Sequence, residues 1–342
     1  MKLFGSFLKV LGYFLFISLV SFSIIRLIPG DPVQNIIGER GASEERINEI
    51  TKNLGLDQPV YIQFYKFAVN ALTGNFGESI VTKQPVMSDF KVLWPATVEL
   101  AMVALLWSSI VGILLGTLAA VKRNSIWDYG SVSLSTVGFA MPLFWWGLIC
   151  IFFFAVKLNL FPVSGRVDVI YDIPYVTGFF FIDSLLSTDK TAFISSLKYM
   201  ALPAFVLGTV PLALIVRITR ASIIDVANED YVRTARAKGL PYKVVLFKHI
   251  FKNALPQIIT SIGLALGQLL TGAIMTETLF SWPGMGRWLV KSIEARDYPA
   301  VQAGVFYSMA IVIVVNWLTD ECVKMVNPKM RDQLRDQQRS SL

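Results

Sequence analysis

Histidine occurs once in this chain, at His249, and cysteine twice, at Cys150 and Cys322. One imidazole cannot build a metal site. The two thiols fall in or beside different apolar stretches without metal-type spacing, so neither a zinc centre nor a disulfide is expected. No Gly-x-x-x-x-Gly-Lys-Ser/Thr run occurs, so any ATP-driven step belongs to another polypeptide. No Ser–His–Asp or paired-carboxylate arrangement is evident, and the chain is expected to be neither an enzyme nor dependent on a cofactor. Charge is scarce as well. Only 16% of the 342 residues are Asp, Glu, Lys or Arg, against 54% hydrophobic, too little polar surface for a soluble domain of this length. The chain reads as an integral membrane protein with the lipid bilayer as a partner. Its formal charge of +7 would suit nucleic acid, but the basic residues cluster between apolar stretches, so no nucleic-acid partner is expected.

What is abundant is long apolar sequence. Val10 to Ile28 forms the first such stretch. It resembles a signal peptide in its flanking lysines but runs into Ile28-Pro-Gly-Asp-Pro32 without a small-x-small cleavage site, and is read as a retained helix. Five further spans are expected near 97–121, 129–156, 197–219, 255–280 and 300–326, each about 20 residues or longer, enough to cross roughly 30 Å of hydrocarbon. Pro142, Pro203 and Pro211 should kink the third and fourth. Lys122-Arg123 in a short turn and the basic block from Arg217 to Lys252 place these segments inside, which puts both termini in the cytoplasm.

The expected divisions are an N-terminal span (1–28), an outer region (29–96), a transmembrane core (97–326) and a cytoplasmic polar tail (327–342). Within the outer region, Ser43-Glu-Glu-Arg-Ile-Asn-Glu-Ile-Thr-Lys52 has helix-start chemistry, Asn53 to Pro59 reads as a turn, and Tyr61 to Leu72 as an amphipathic helix. A second outer segment, 157–196, contains Pro162-Val-Ser-Gly-Arg166 and Thr177-Gly-Phe-Phe-Phe-Ile-Asp183.

The polar passage Arg217–Pro256 lies between two apolar spans. A helix over Glu229–Lys238, capped by Asn228 or Asp230, should end at Gly239, with Pro241 opening a second helix from Tyr242 to Leu255. At 100° per residue, Leu246, Phe247, Ile250, Phe251 and Ala254 share one side of that second helix, and Lys248, His249, Lys252 and Asn253 the other. Glu229 precedes Arg233 by one turn, the favourable order for a pair, and Arg236 joins them. Ala235 and Gly239 leave a notch beside Val232. This is the form of a docking loop.

Thr234-Ala-Arg-Ala-Lys-Gly239 followed by His249-Ile-Phe-Lys-Asn-Ala-Leu-Pro256 resembles the cytoplasmic coupling loop of ABC-importer permeases of the dipeptide, oligopeptide and nickel branch. The general family pattern has Glu and Ala where Arg233 and Thr234 stand, so Arg233 does not inherit the glutamate's role. Phe280-Ser-Trp-Pro-Gly-Met-Gly-Arg-Trp288 and Arg296-Asp-Tyr-Pro299 match the same branch, and the 157–196 segment resembles an insertion of its dipeptide members.

The resemblance implies an all-α integral membrane protein of six transmembrane helices with the type I (MetI-like) ABC importer permease fold and a cytoplasmic coupling loop at 217–256. It implies Arg233, Thr234, Ala235, Gly239, Pro241, His249, Asn253 and Pro256 as the ATPase-coupling residues. The implied partners are a homologous second permease, two cytosolic ATP-binding-cassette ATPases, an extracytoplasmic binding protein and a peptide substrate, in a bacterial inner membrane. Glu277, Trp282, Pro283 and Arg287 are the translocation-path candidates. Facing lipid would be costly for Glu277, which leaves it either on the pathway or in a structural pair with Arg287 or Arg296. Glu99 is expected at the membrane interface, and Asp320 and Glu321 near Lys324. Nickel or longer peptides are the alternative cargo. An ion-coupled secondary transporter, which should show repeated halves, broken helices and midplane carboxylates, is the alternative class.

Overall fold

A computed structural model describes residues 2–27, 43–53, 57–187 and 190–326. The Gly30-Asp-Pro32 run, the middle of the 53–59 turn, the tail beyond 326, and the side chains of Asp320 and Lys324 lie outside the described residues. The described chain is helical, with one isolated antiparallel bridge between Glu78 and Pro85. In order come α1 (Lys2–Leu27), α2 (Glu44–Asn53), α3 (Val60–Thr73), α4 (Val86–Val121), α5 (Ile126–Ala140) and α6 (Leu143–Cys150). A π-helical segment, π1 (Ile151–Lys157), continues α6. Then follow α7 (Phe180–Leu186), α8 (Lys190–Ala227), α9 (Asp230–Ala237), α10 (Tyr242–Val244), π2 (Val245–Phe251), α11 (Lys252–Leu279), α12 (Met285–Glu294) and α13 (Tyr298–Val326).

Among the described residues, α4, α8, the run Tyr242–Leu270 and α13 are long and apolar enough to cross a bilayer. The expected third span is instead a pair, α5 and α6, bent by 105°. The reason is local. Pro142 has no N–H to give the preceding turn, and its ring drives Met141 out of the helical region to φ −82°, ψ 137°. What the sequence suggested as a kink is a break. Pro203 and Pro211, by contrast, lie buried within α8, which continues through both. The uninterrupted apolar stretch of α1 is Val10–Ile24.

The chain forms two compact units. One comprises residues 1–95 and 283–311. Its interior is aromatic: Phe22 packs on Phe64 and Phe67, Phe67 on Phe76, and Phe76 on Phe306 and Tyr307, with ring centroids 5.2–5.9 Å apart. Asp297, buried, accepts from the Ala300 N–H at the start of α13 and from Ser79 Oγ and the Val81 N–H, so one carboxylate caps a helix and pins a turn.

The other unit comprises residues 96–282 and 312–342. Here α8 is the central helix, packed on α5, α6, α7 and α11. It meets α4 at glycines. A Cβ on Gly116 would stand 2.6 Å from Thr219 Cβ and 2.7 Å from the Val216 carbonyl oxygen, and one on Gly112 2.8 Å from Ile215. Only glycine lets the two backbones come this close.

Candidate functional site

The loop after α8 has one short helix, not two. α9 spans Asp230–Ala237, its N-cap is Glu229, and no side chain caps it; neither Asn228 nor Asp230 does so. Gly239 follows with φ +75°, the left-handed conformation expected of it. Pro241 caps α10, which passes through π2 into α11 without interruption, so the expected second loop helix is the near end of a span. Pro256 lies in the second turn of α11 and cannot bond back to the Lys252 carbonyl, which its ring also crowds.

The π turn resets which residues face inward. Val245, Ile250, Ala254 and Ile258 are buried together, at intervals of five, four and four. The first interval is the wide π repeat. A uniform 100° period puts Phe247 on the buried side. With one extra residue in the turn, Val245 and Leu246 take that place and Phe247 is 61% exposed. The same cluster contains Ile223 of α8 and Val232 and Ala235 of α9. Ala235 therefore faces the protein's own core, while Gly239 is exposed.

Outward on the loop are Tyr231, Leu240, Tyr242, Val244 and Phe247, with Arg233, Arg236, Lys238, Lys243 and Lys248 exposed around them. Arg233 reaches Asp230 at 3.4 Å, one turn back, in place of Glu229. Thr234 Oγ1 donates to the Asp230 carbonyl, 3.0 Å. The His249 carbonyl receives two side chains, Asn253 Nδ2 at 2.7 Å and Tyr231 OH at 3.3 Å, so α9 is tied to π2.

A second constellation gathers buried charge where α4 begins its apolar run. Glu277, fully buried, accepts from Thr97 Oγ1 at 2.6 Å. Trp282, also fully buried, donates its Nε1–H to the Ala96 carbonyl, 2.9 Å. Glu99 is buried, paired with Arg166 and hydrogen-bonded by the Phe181 N–H at the start of α7. The Arg166 guanidinium also lies over Phe180 (4.7 Å) and Trp282 (5.6 Å), and the Gly165 N–H donates to the Phe280 carbonyl at 2.9 Å. A buried carboxylate is tolerable only with such partners. Burial draws the Arg166 pKa down from its ordinary value, and Glu99 opposes that. Pro283 is exposed and Arg287 half-buried in α12; both belong to the other compact unit.

Two further anchors were not singled out by the sequence pattern. Arg220 grips Asp128 with two bonds (Nε–Oδ1 2.6 Å, Nη2–Oδ2 2.8 Å), and the Asn124 N–H adds a third at 2.9 Å. This fixes the Lys122–Asn124 turn to α8 one turn before Ile223. In the 157–196 segment, Asp183 accepts from the N–H groups of Val176, Thr177 and Gly178 and from Thr177 Oγ1. Burial alone would raise the Asp183 pKa, but those four bonds outweigh it and hold the carboxyl below the usual range. The signals were present, an acid opening a helix after a basic turn and an arginine inside an apolar span, but their pairing is long-range.

Among known proteins, residues 112–332 match the binding-protein-dependent transport system inner membrane component, and residues 3–101 match the N-terminal part of such components. The chain is 47% identical over 317 residues to the di/tripeptide transport system permease protein DppB of Pseudomonas aeruginosa, covering 93% of this chain and 94% of that one. It is 46% identical over 325 residues to the dipeptide transport system permease protein DppB of Escherichia coli K12, covering 94% and 96%. It is 35% identical over 315 residues to the glutathione transport system permease protein GsiC of Escherichia coli, covering 92% and 94%. A basic loop keyed into long apolar helices and the match to both family segments lead to one conclusion: the chain belongs to the binding-protein-dependent transport system inner membrane components.

Proposed function

We propose that this chain is the permease subunit of an ATP-binding-cassette importer that carries dipeptides across a bacterial inner membrane. The observation that carries this reading is the 46–47% identity, over nearly the whole of both chains, with permeases named for dipeptide and di/tripeptide transport. The chain crosses the bilayer six times, with α1 the first span and α5–α6 together the third, and both termini lie in the cytoplasm. It works with a homologous permease, two cytosolic ATPases and an extracytoplasmic binding protein that delivers the peptide.

Coupling runs through the loop at 217–256. The exposed Tyr231, Leu240, Tyr242, Val244 and Phe247 present an apolar centre, ringed by basic side chains, to an ATPase surface of opposite charge. Val232 and Ala235 key α9 into the cluster shared by α8 and α11. A displacement of α9 therefore reaches both spans as a packed unit. Burying a Val or Ile side chain is worth about 1.5–3 kcal/mol, so the cluster resists being pulled apart. The bent span and the buried Glu277 are features an ion-coupled transporter would share, but here they occur in a chain of the binding-protein-dependent family.

The test is growth. In a strain lacking other peptide systems, loss of this subunit abolishes growth on an essential amino acid supplied only as a dipeptide, while the free amino acid rescues. Unchanged dipeptide uptake with diminished nickel accumulation would replace the peptide reading with nickel import.

A further inference from the structure

Helix α3 has three kinds of surface, although a helix in a two-phase setting needs only two. Phe64, Phe67 and Ala71 face its own unit, where the two phenylalanines pack on Phe22. Gln63, Lys66 and Asn70 form a polar strip. Between them runs a line of exposed apolar and aromatic residues, Tyr61, Tyr65, Val69 and Leu72, set one helical turn apart and 42–73% exposed. None of these belongs to the 217–256 loop.

Beside this line, between α3 and α1, lies an open groove of about 570 Å³, lined by Leu19, Phe22, Ser23, Arg26, Val60, Tyr61 and Phe64. Its volume falls in the ~300–1,000 Å³ range of small-molecule sites. The walls are apolar save for Ser23 and Arg26. The Arg26 guanidinium lies over the Phe22 ring, 3.6 Å from its centroid, and donates to the Phe22 carbonyl (3.1 Å) and to Gln63. Two donations leave N–H groups of a five-donor fork available. Among the described residues no carboxylate pairs with it. The groove is continuous with the exposed apolar face of α1, which includes Leu11, Leu15 and Leu19.

We propose that α3 lies in the membrane interface, and that the α1–α3 groove binds a phospholipid with its acyl chain against Leu19, Val60 and Phe64 and its phosphate on Arg26. Three features single out lipid as the occupant. The groove opens onto the exposed apolar face of α1, which meets acyl chains if α1 is the span proposed above. A cation stands at one place on an otherwise apolar wall, which fits an amphiphile with one anionic end. Tyr61 and Tyr65, exposed on the apolar line, suit the headgroup level, where an aromatic ring is buried and its hydroxyl wetted. A docked protein would instead bury the polar strip together with the apolar line.

The test uses the complete transporter reconstituted in vesicles of phosphatidylethanolamine and phosphatidylglycerol. Nitroxide side chains are placed singly at positions 65, 69, 66 and 70, and collisions with oxygen are compared with collisions with a water-soluble nickel chelate. Positions 65 and 69 should favour oxygen, and 66 and 70 the chelate, whether or not the loaded binding protein is present. Equal chelate access at all four positions overturns the proposal. So does protection of 65 and 69 that arises only when the binding protein is added, since that makes the line a protein-docking face. For the headgroup, Arg26→Gln should retain phosphatidylglycerol about five-fold less well in native mass spectra of the purified complex, and free inorganic phosphate should not displace the lipid. Unchanged retention in Arg26→Gln, or displacement by phosphate, overturns the headgroup assignment.

Discussion

Replacing Gly239 by valine should uncouple transport without removing the protein from the membrane. Gly239 holds φ +75° between α9 and Pro241, and no atom lies within 4 Å of where a Cβ would stand. The space is open, so the whole cost is backbone. A non-glycine residue in the left-handed region costs about 1–2 kcal/mol, and a β-branched one up to about 3 kcal/mol. If the loop relieves that strain by leaving its docked conformation, ATPase engagement weakens roughly 5- to 150-fold, since each 1.4 kcal/mol is tenfold. The anchors Val232 and Ala235 are untouched, so the spans should insert and pack as before. Asparagine tolerates positive φ and separates the causes: Gly239→Asn should transport near normally where Gly239→Val does not. The assays are peptide uptake, stimulation of ATP hydrolysis by the loaded binding protein, and retention of the ATPases through washing. Normal coupling in Gly239→Val refutes the reasoning. Equal damage from asparagine and valine would show that a side chain obstructs the contact and that φ is not the cause.

Arg166→Ala should destabilise the complex by about 3–5 kcal/mol, because it strands the buried Glu99; thermal unfolding should find the Arg166→Ala, Glu99→Gln double variant less damaged than Arg166→Ala alone. The depressed Asp183 pKa stabilises the 176–187 region above the ordinary carboxylate pKa of about 3.9, and that stabilisation is lost as pH falls through the lower folded value. Amide protection factors there, exchange relative to the intrinsic rate at the same pH, should thus be high at neutral pH and fall in strong acid, and Asp183→Asn should lower them at neutral pH. For topology, cysteines at Ser43 and Ser125 in a cysteine-free background, probed in intact cells with an impermeant thiol reagent, should label at 43 only; labelling at 125 only would reverse the orientation.

Local chemistry was legible in the sequence, and register and long-range pairing were not. Gly239 and Pro241 mark the end of α9 because each has a backbone preference that acts alone. The apolar spans and the amphipathic α3 could be read because their periodicity repeats over many residues. Phe247 was misread because one extra residue in π2 rotates everything before it, and no single side chain announces a π turn. Glu229 and Arg233 have the right spacing for a pair, yet Arg233 meets Asp230, a competitor one residue nearer. The burial of Glu99 was not legible, because it depends on Arg166, 67 residues away, and on the N–H of Phe181. Pro142 could be read as a disturbance of its span because a proline acts on the turn before it, but the 105° size of the bend could not.

The most direct measurement is uptake of a radiolabelled dipeptide into vesicles containing this chain with its partner permease and ATPases. Uptake should require both ATP on the loop side and the loaded binding protein on the other, and should persist when proton and sodium gradients are collapsed. Dipeptide accumulation without ATP, driven by either gradient, would contradict the account.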